Sequence, residues 1–279
     1  MTSLLSYAAF PPQQKLAMLN LEHARDVAVS AADAASKVIM KYFRGNFEIE
    51  LKADHTPVTV ADRGAEDVIR EIILENFPEH GIYGEERGRS PAGESSGPEY
   101  TWLIDPIDGT KSFVRGYGMF SCQIALMEGE QLVLGVSTAP AFGEQAVAVR
   151  GAGAYIDGRK LAVSQVSRIE DAAISTGNIG SLASSPRWPA LGRIMASAYT
   201  TRGYGDFYHY HRLVSGQLDA VIESNLNILD IAALTVIVRE AGGVVTDLSG
   251  AAIGMKTRSI LAANPDLHAL LLEALNADT

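Results

Sequence analysis

The spacing of apolar residues changes partway along this chain, and the change limits the folds open to it. Up to about residue 78 apolar positions recur at helical spacing. Leu16, Leu19, Val27, Ala31, Ala35, Val38, Ile39 and Tyr42 precede Gly45, and Ala65, Val68, Ile69, Ile72, Ile73 and Phe77 precede Pro78. From 117 to 163 short strand-like runs take over, at 119–127, 131–139, 144–150 and 153–156, with Glu128-Gly129-Glu130 and Asp157-Gly158 among the breaks. Helices followed by a block of strands predict an α+β chain containing an antiparallel sheet. Further on, the pattern predicts strands at 172–177, 218–223, 244–247 and near 258–263, and helices at 186–198, 207–216, 231–240 and 265–275. Residues 88–99, rich in Gly, Ser and Pro, read as a loop, and 201–206 as a turn. There is no internal repeat and no low-complexity segment.

Between the two patterns lies Trp102-Leu103-Ile104-Asp105-Pro106-Ile107-Asp108-Gly109-Thr110-Lys111-Ser112. An apolar run reads as the end of a buried strand, and two carboxylates follow three residues apart. Gly109 permits a tight turn, and Thr110 and Ser112 sit where a helix would begin. Carboxylate oxygens suit hard cations, and free N–H groups at a helix start suit phosphate oxygens. An ordinary Asp/Pro/Gly turn would use the same residues for backbone reasons alone. The question is then whether other acids reach this place.

Bulk properties narrow the partners. The chain has 279 residues, 47% hydrophobic and 20% charged, enough for one large or two moderate domains. Its formal charge of −10 disfavours nucleic acid and anionic membrane surfaces as partners. A phosphorylated substrate would need metal ions to reverse the local sign. Cys122 is the only cysteine, which excludes an intramolecular disulfide and a thiolate zinc cluster; in its apolar run it reads as a small buried hydrophobe. The first residues lack the pattern of a signal peptide, and no apolar stretch is long enough to span a membrane, so a cytoplasmic setting is expected.

Several acids sit at junctions between elements. Thr59 with Asp62 resembles a capping box, so Asp62 either compensates a helix dipole or faces a site. Glu85 follows Gly84 after a short apolar piece, and Asp230 precedes the apolar helix pattern through Ile231, Ala232, Leu234, Ile237 and Val238. His209 and His211, two residues apart on an expected helix, face different sides, so they read as packing or surface residues rather than a metal pair.

Gly84-Glu85-Glu86, the Trp102–Thr110 stretch, Asp230-Ile231-Ala232-Ala233 with Glu240-Ala241-Gly242-Gly243, and Pro57-Val58-Thr59-Val60-Ala61-Asp62 together resemble the inositol monophosphatase family of Mg²⁺-dependent, Li⁺-sensitive phosphatases. The resemblance runs from about residue 20 to 275. It implies a layered α/β/α/β/α sandwich of the inositol monophosphatase and fructose-1,6-bisphosphatase type, a small phosphorylated substrate, two or three Mg²⁺ ions per site, and a homodimer. The N-terminal half, 1–165, would carry most metal ligands, and the C-terminal half, 166–279, the last ligand and the substrate-recognition residues.

Carried over by position, Glu85, Asp105, Asp108, Asp230 and the backbone carbonyl of Ile107 are implied metal ligands, with Asp105 bridging. Glu85, Thr110 and Asp62 are the implied catalytic residues, Thr110 paired with Asp62 to orient the attacking water, and the N–H groups of Gly109 and Thr110 hold the phosphate. One departure is Leu229, where the family carries an aromatic residue. On the substrate side, Glu223 resembles the family's substrate-contacting glutamate. Gly205-Asp206 followed by aromatics, Ala61-Asp62-Arg63 with Ala65-Glu66, and His80-Gly81-Ile82-Tyr83-Gly84-Glu85 resemble the histidinol-phosphate phosphatase branch. Two acids, Asp206 and Glu223, would favour a cationic leaving group over a neutral polyol, although Asp206 could equally be a helix N-cap. Inositol 1-phosphate or another sugar phosphate is the alternative substrate. A non-catalytic phosphate-binding module is a more distant one, and no implied ligand is missing to support it.

Overall fold

The computed structural model describes residues 19–45, 49–51, 57–93 and 99–277. In chain order these form α1 (Leu21–Tyr42), β1 (Ile49–Leu51), β2 (Pro57–Thr59), α2 (Val60–Asn76), β3 (Gly81–Gly84), β4 (Gly88–Ser90), β5 (Tyr100–Asp108), α3 (Thr110–Val114) and β6 (Ser121–Glu128). Next come β7 (Gln131–Ala139), β8 (Glu144–Val149), β9 (Gly153–Ile156), β10 (Arg159–Lys160), β11 (Ala173–Gly177), α4 (Ile179–Ala183), α5 (Trp188–Ser197) and β12 (Thr200–Arg202). The chain closes with α6 (Asp206–Val214), β13 (Ala220–Ser224), α7 (Ile228–Glu240), β14 (Val244–Thr246), β15 (Ser259–Ala263) and α8 (Pro265–Asn276). No described helix is long and apolar enough to cross a membrane.

The strands make a small ribbon, β1–β2, and two larger sheets. One has eight strands in the order β10-β9-β8-β7-β6-β5-β3-β4, the other five in the order β12-β11-β13-β15-β14. The expected antiparallel meander is present from β5 to β10, but β3 runs parallel to β5, and β11 runs parallel to both β12 and β13. Parallel neighbours need a crossover, which α4 with α5 and then α6 supply in the second sheet.

Alternation along the strands builds the layers. In β5 and β6, Trp102, Ile104, Ile124 and Leu126 point to a core shared with α1 and α2, whereas Leu103, Ala125 and Met127 point to a core shared with α6 and α7. In β13 and β15, Val221, Ile260 and Ala262 join that same middle core, and Ala220, Ile222, Leu261 and Ala263 face α5 and α8. The fold is therefore a five-layer α/β/α/β/α sandwich. Helix α7 is buried nearly all round because it lies between the two sheets. It sits directly on β7, where a Cβ at Gly135 would come within 2.4 Å of the Ala233 carbonyl oxygen. The alanine face of α1 (Ala24, Ala28, Ala31, Ala32, Ala35) is fully buried and lets α2 approach closely.

Several boundaries differ from the expectations. Asn20 caps α1, taking N–H groups of Glu22 and His23 at 3.0 and 3.2 Å, and Leu16 lies outside the described residues. Part of the expected loop is strand β4, paired with β3. Residues 200–202, overlapping the turn expected at 201–206, form an edge strand beside β11, and α4 was not foreseen. Helix α7 begins at Ile228, so Asp230 is its third residue rather than the residue before it. Cys122 is in the core, as expected, and burial pushes its thiol up to about 12.

Candidate active site

The end of β5 carries the first two acids. Residues three apart on a regular strand face opposite sides, yet here the register against β6 shifts: Asp105 faces Gln123 and Asp108 faces Ser121. One extra residue on β5 makes a bulge, which turns both carboxylates to the same side. Pro106, which has no N–H to give the ladder, falls inside the interruption. The Ile107 N–H donates to Asp105 Oδ1 at 3.0 Å, fixing one carboxylate. Gly109 then adopts φ +87°, and a Cβ there would lie 2.6 Å from the Met119 carbonyl oxygen, so the turn into α3 requires glycine.

Two further acids arrive at helix starts. Thr59 caps α2, and its N–H and hydroxyl donate to Asp62 Oδ2 at 2.8 and 2.6 Å. Asp62 is thus both a cap partner and a site-facing acid, because Thr110 Oγ1 lies 3.3 Å from its Oδ1 and 2.9 Å from the Ile107 carbonyl oxygen. Asn227 caps α7 in the same manner, giving its N–H to Asp230 Oδ2 and its side-chain amide to Asp230 Oδ1, both at 2.8 Å. Glu85 stands on the β3–β4 turn. That turn is held by the buried Glu66 carboxylate, which accepts the N–H groups of Glu86 and Arg87 at 2.6 and 3.1 Å and pairs with Arg70 at 2.7 Å.

These elements converge. Carboxylate oxygens of Asp105, Asp108 and Asp230 lie within 4.8 Å of one another, and Glu85 lines the same cleft. The cleft encloses about 570 Å³ and is also lined by Gly109, Thr110 and Asp206. Burial, then the charges of Glu85, Asp108 and Asp230, raises Asp105 well above the carboxylate range. Burial does the same to Asp108, reinforced by Asp206, Asp230, Glu223 and Glu85. Asp230 is pushed up to about 7 by burial and by Glu85, Glu223 and Asp206, against the Asn227 N–H, which lowers it. Burial also raises Asp62. Crowded carboxylates of this kind repel one another unless a cation lies among them. An all-oxygen donor set fits a hard divalent ion such as Mg²⁺ rather than a soft one.

Beside the cleft is a recess of about 50 Å³ lined by Asp108, Asp206, Glu223, Tyr210, Asn178 and Asp230, among others. Glu223, on β13, accepts from Tyr210 Oη at 2.9 Å and from Asn178 Nδ2 at 3.3 Å, and His209 Nε2 lies 3.1 Å away. Asp206 opens α6, but Gly205 is the cap residue and Asp206 itself has φ +48°, so the N-cap alternative for Asp206 is not what the fold uses. Burial and the Glu223 charge push Asp206 up to about 6. His209 and His211 do face different sides, and both are fully buried. His209 ties α6 to the five-stranded sheet through Ser175 and Glu223, and His211 ties it to the eight-stranded sheet through Ser137 and Glu144. Leu229 is buried in the middle core, so the missing aromatic leaves Asp230 in place.

All the implied ligands and Thr110 therefore meet in one cleft, with Asp62 behind Thr110 and Glu223 in the adjoining recess. Sequence reasoning gave no role to Asn227, Asn178 or Tyr210, and took Glu66 only as part of the pattern that resembles the histidinol-phosphate phosphatase branch. Asn227 was findable, because Asn227 and Asp230 have the three-residue spacing that exposed Thr59 and Asp62. The others act through contacts distant in sequence.

Residues 20–279 match the inositol monophosphatase family. A histidinol-phosphatase of Streptomyces coelicolor is 37% identical, the alignment covering 88% of this chain and 94% of the relative. An inositol-1-monophosphatase of Mesorhizobium japonicum is 32% identical over 90% of this chain and 95% of its own. In three dimensions the extragenic suppressor protein suhB from Bartonella henselae superposes with a TM-score of 0.82 at 32% identity, covering 91% of this chain and 98% of that one. The matched span takes in both sheets and every described helix, and the acids that meet at the end of β5 lie within it: the chain is a phosphatase belonging to the inositol monophosphatase family.

Proposed function

We propose that the chain hydrolyses histidinol phosphate to histidinol and phosphate with Mg²⁺ as cofactor, two or three ions per site, as a cytoplasmic homodimer. The observation that carries the substrate choice is the position of Asp206 and Glu223, two acids in a recess that opens beside the Asp105–Asp108–Asp230 cluster. A phosphate held at the cluster would put its leaving group toward that recess. Histidinol offers an ammonium group and an imidazole, to which carboxylates make charge-assisted hydrogen bonds, whereas a polyol offers only neutral hydroxyls. Relatives named histidinol-phosphatase support the same reading.

In this reading Glu85, Asp105, Asp108, Asp230 and the Ile107 carbonyl hold the ions. Bound there, Mg²⁺ would neutralise phosphate charge and lower the pKa of a water. The protein groups do the rest. Thr110 has one proton and two acceptors near it, the Ile107 carbonyl and Asp62. Donated to Asp62, that proton leaves the Oγ1 lone pairs free to accept from the attacking water. The Gly109 and Thr110 N–H groups hold phosphate oxygens.

A phosphate-release panel with Mg²⁺ tests the reading, comparing histidinol phosphate, inositol 1-phosphate, fructose 1,6-bisphosphate and 3′-phosphoadenosine 5′-phosphate. The kcat/KM for histidinol phosphate should exceed the others by about tenfold or more, the worth of one charge-assisted hydrogen bond. Asp206→Asn should raise KM for histidinol phosphate more than for inositol 1-phosphate. Equal rates on the panel, or equal KM changes, would remove the cationic leaving group from the reading.

A further inference from the structure

A line of buried hydrogen bonds leaves the acidic cluster through the eight-stranded sheet. Ser121 Oγ donates to Asp108 Oδ2 at 3.3 Å, and Gln123 Nε2 lies 2.8 Å from Ser121 Oγ and 3.1 Å from Ser137 Oγ. Ser137 Oγ is 2.9 Å from His211 Nε2, and His211 Nδ1 is 2.7 Å from Glu144 Oε1, which Arg212 also pairs. Ser121, Ser137 and His211 are fully buried, and Gln123 is 1% exposed.

The direction of each bond follows from the ends. Hydrogen bonds from His211 and Arg212 hold Glu144 down to about 2, so it is a pure acceptor and His211 carries its proton on Nδ1. Burial lowers His211 against the opposing pull of Glu144, which favours the neutral ring with Nε2 as the acceptor. Ser137 spends its one proton on that nitrogen, which leaves its oxygen to accept. Only the NH₂ side of Gln123 can donate there, and the same NH₂ group reaches Ser121. With its oxygen receiving that bond, the Ser121 hydroxyl has its proton free for Asp108. Among the described residues Gln123 Oε1 has no hydrogen-bond partner, so the amide works through its donors.

Ser137, His211 and Glu144 have the bonding of a Ser–His–acid triad, but Ser137 is sealed in the sheet and lines none of the described clefts. Its role is to orient Gln123.

We propose that Gln123 is a positioning residue for Asp108: through Ser121 it supplies the hydrogen bond that fixes one oxygen of that carboxylate and leaves the other aimed at the cation. The proposal rests on the metal-dependent reading of the cluster above. Because the far end of the line is anchored on α6, the same bonds join Asp108 to the helix that begins with Asp206.

Calorimetric titration with Mn²⁺, alongside phosphate release from histidinol phosphate, tests this on four variants. Gln123→Met removes both donors at similar volume, Ser121→Ala removes the hydroxyl, and Ser121→Thr restores one. Thr235→Val alters an equally buried hydroxyl on α7 that has no hydrogen-bond partner among the described residues. Gln123→Met and Ser121→Ala should each weaken Mn²⁺ binding by about tenfold, the usual effect of losing an outer partner of a ligand. They should lower kcat more than they raise KM. Ser121→Thr and Thr235→Val should bind Mn²⁺ as the parent does, whatever happens to Tm. Folded Gln123→Met and Ser121→Ala proteins with the parent's Mn²⁺ affinity would overturn the proposal. Should Gln123→Met not fold, the Ser121→Ala and Ser121→Thr pair decides alone. A parent that binds Mn²⁺ but releases no phosphate defeats the proposed function and leaves the positioning role standing, while a parent that binds no Mn²⁺ overturns both.

Discussion

Helices α2 and α7 approach the end of β5 from opposite faces of the same sheet, and each brings an aspartate as its third residue, held by a capping box. The two boxes differ in what they leave free. Thr59 uses only Asp62 Oδ2, so Oδ1 is left to face Thr110. Asn227 has an N–H and an amide, and it holds both Asp230 oxygens. Each of those oxygens still has a lone pair for the cluster, so Asp230 is fixed in two places before a cation arrives. A threonine cap yields an acceptor for one hydroxyl; an asparagine cap yields a rigid carboxylate suited to a metal. The same local motif thus serves two chemical tasks.

The largest effect that could break this comparison comes from neutralising each aspartate at constant shape. Asp230→Asn should lower kcat/KM by more than about 100-fold, beyond the effect of losing an outer partner, and should weaken Mg²⁺ binding with it. Asp62→Asn should lower kcat by about 100-fold, the lower end for losing help with proton transfer, while Mg²⁺ binding stays as in the parent. Steady-state kinetics across a Mg²⁺ titration separates the two. If Asp62→Asn moved the Mg²⁺ half-saturation as far as Asp230→Asn does, the division of labour would be wrong.

How much of this was legible beforehand follows from the range of each interaction. The helical and strand spacings located most elements, because burial of one face leaves its period in the chain. Asp105 and Asp108 stood out as acids directly after an apolar run, yet the bulge that turns them to one side depends on the register against Ser121 and Gln123 and cannot be read from β5 alone. Thr59–Asp62 was readable as a cap. Asn227–Asp230 was missed because α7 is apolar on all sides between two sheets, which hides where its pattern begins. The partners of Glu66 under the Glu85 turn and of the two histidines of α6 were beyond reach for another reason. Periodicity tells which face a residue occupies, never which distant partner meets it there.

A smaller effect concerns charge at the two sites. Asp230 titrates near 3.8 in an unfolded chain and about 7 in the folded one, because burial and its acidic neighbours disfavour ionisation. Between those values the folded protein keeps a proton that the unfolded chain has lost, so metal-free stability falls as pH rises through the window and levels off above it. A divalent cation binds the ionised form and opposes that loss. The Mg²⁺-induced rise in Tm should therefore be small at about pH 5 and larger at about pH 8, by differential scanning fluorimetry. Asp230→Asn should reduce that pH dependence and Asp62→Asn should leave most of it. A Mg²⁺ effect of equal size at both pH values would mean that the cation does not act on this carboxylate.

The smallest effects belong to the caps themselves. Thr59→Ala and Asn227→Ala each remove a side-chain acceptor from a helix start, and each should destabilise the fold by about 0.5–2 kcal/mol in denaturant melts. Stability alone would not tell them apart, because both helices lose the same kind of bond. Their metal response should. Asn227→Ala also frees Asp230 Oδ1 from the amide that holds it, so the carboxylate gains rotational freedom it must lose again when a cation binds. Mg²⁺ half-saturation should rise for Asn227→Ala and stay unchanged for Thr59→Ala, whose partner Asp62 faces a hydroxyl instead. Asn227→Asp keeps a capping oxygen but sets a second carboxylate against Asp230, so it should preserve helix stability better than Asn227→Ala and metal binding no better. If Thr59→Ala shifted Mg²⁺ half-saturation as much as Asn227→Ala, the difference in cap chemistry would not matter to the site, and the two helix starts would differ only in where they point.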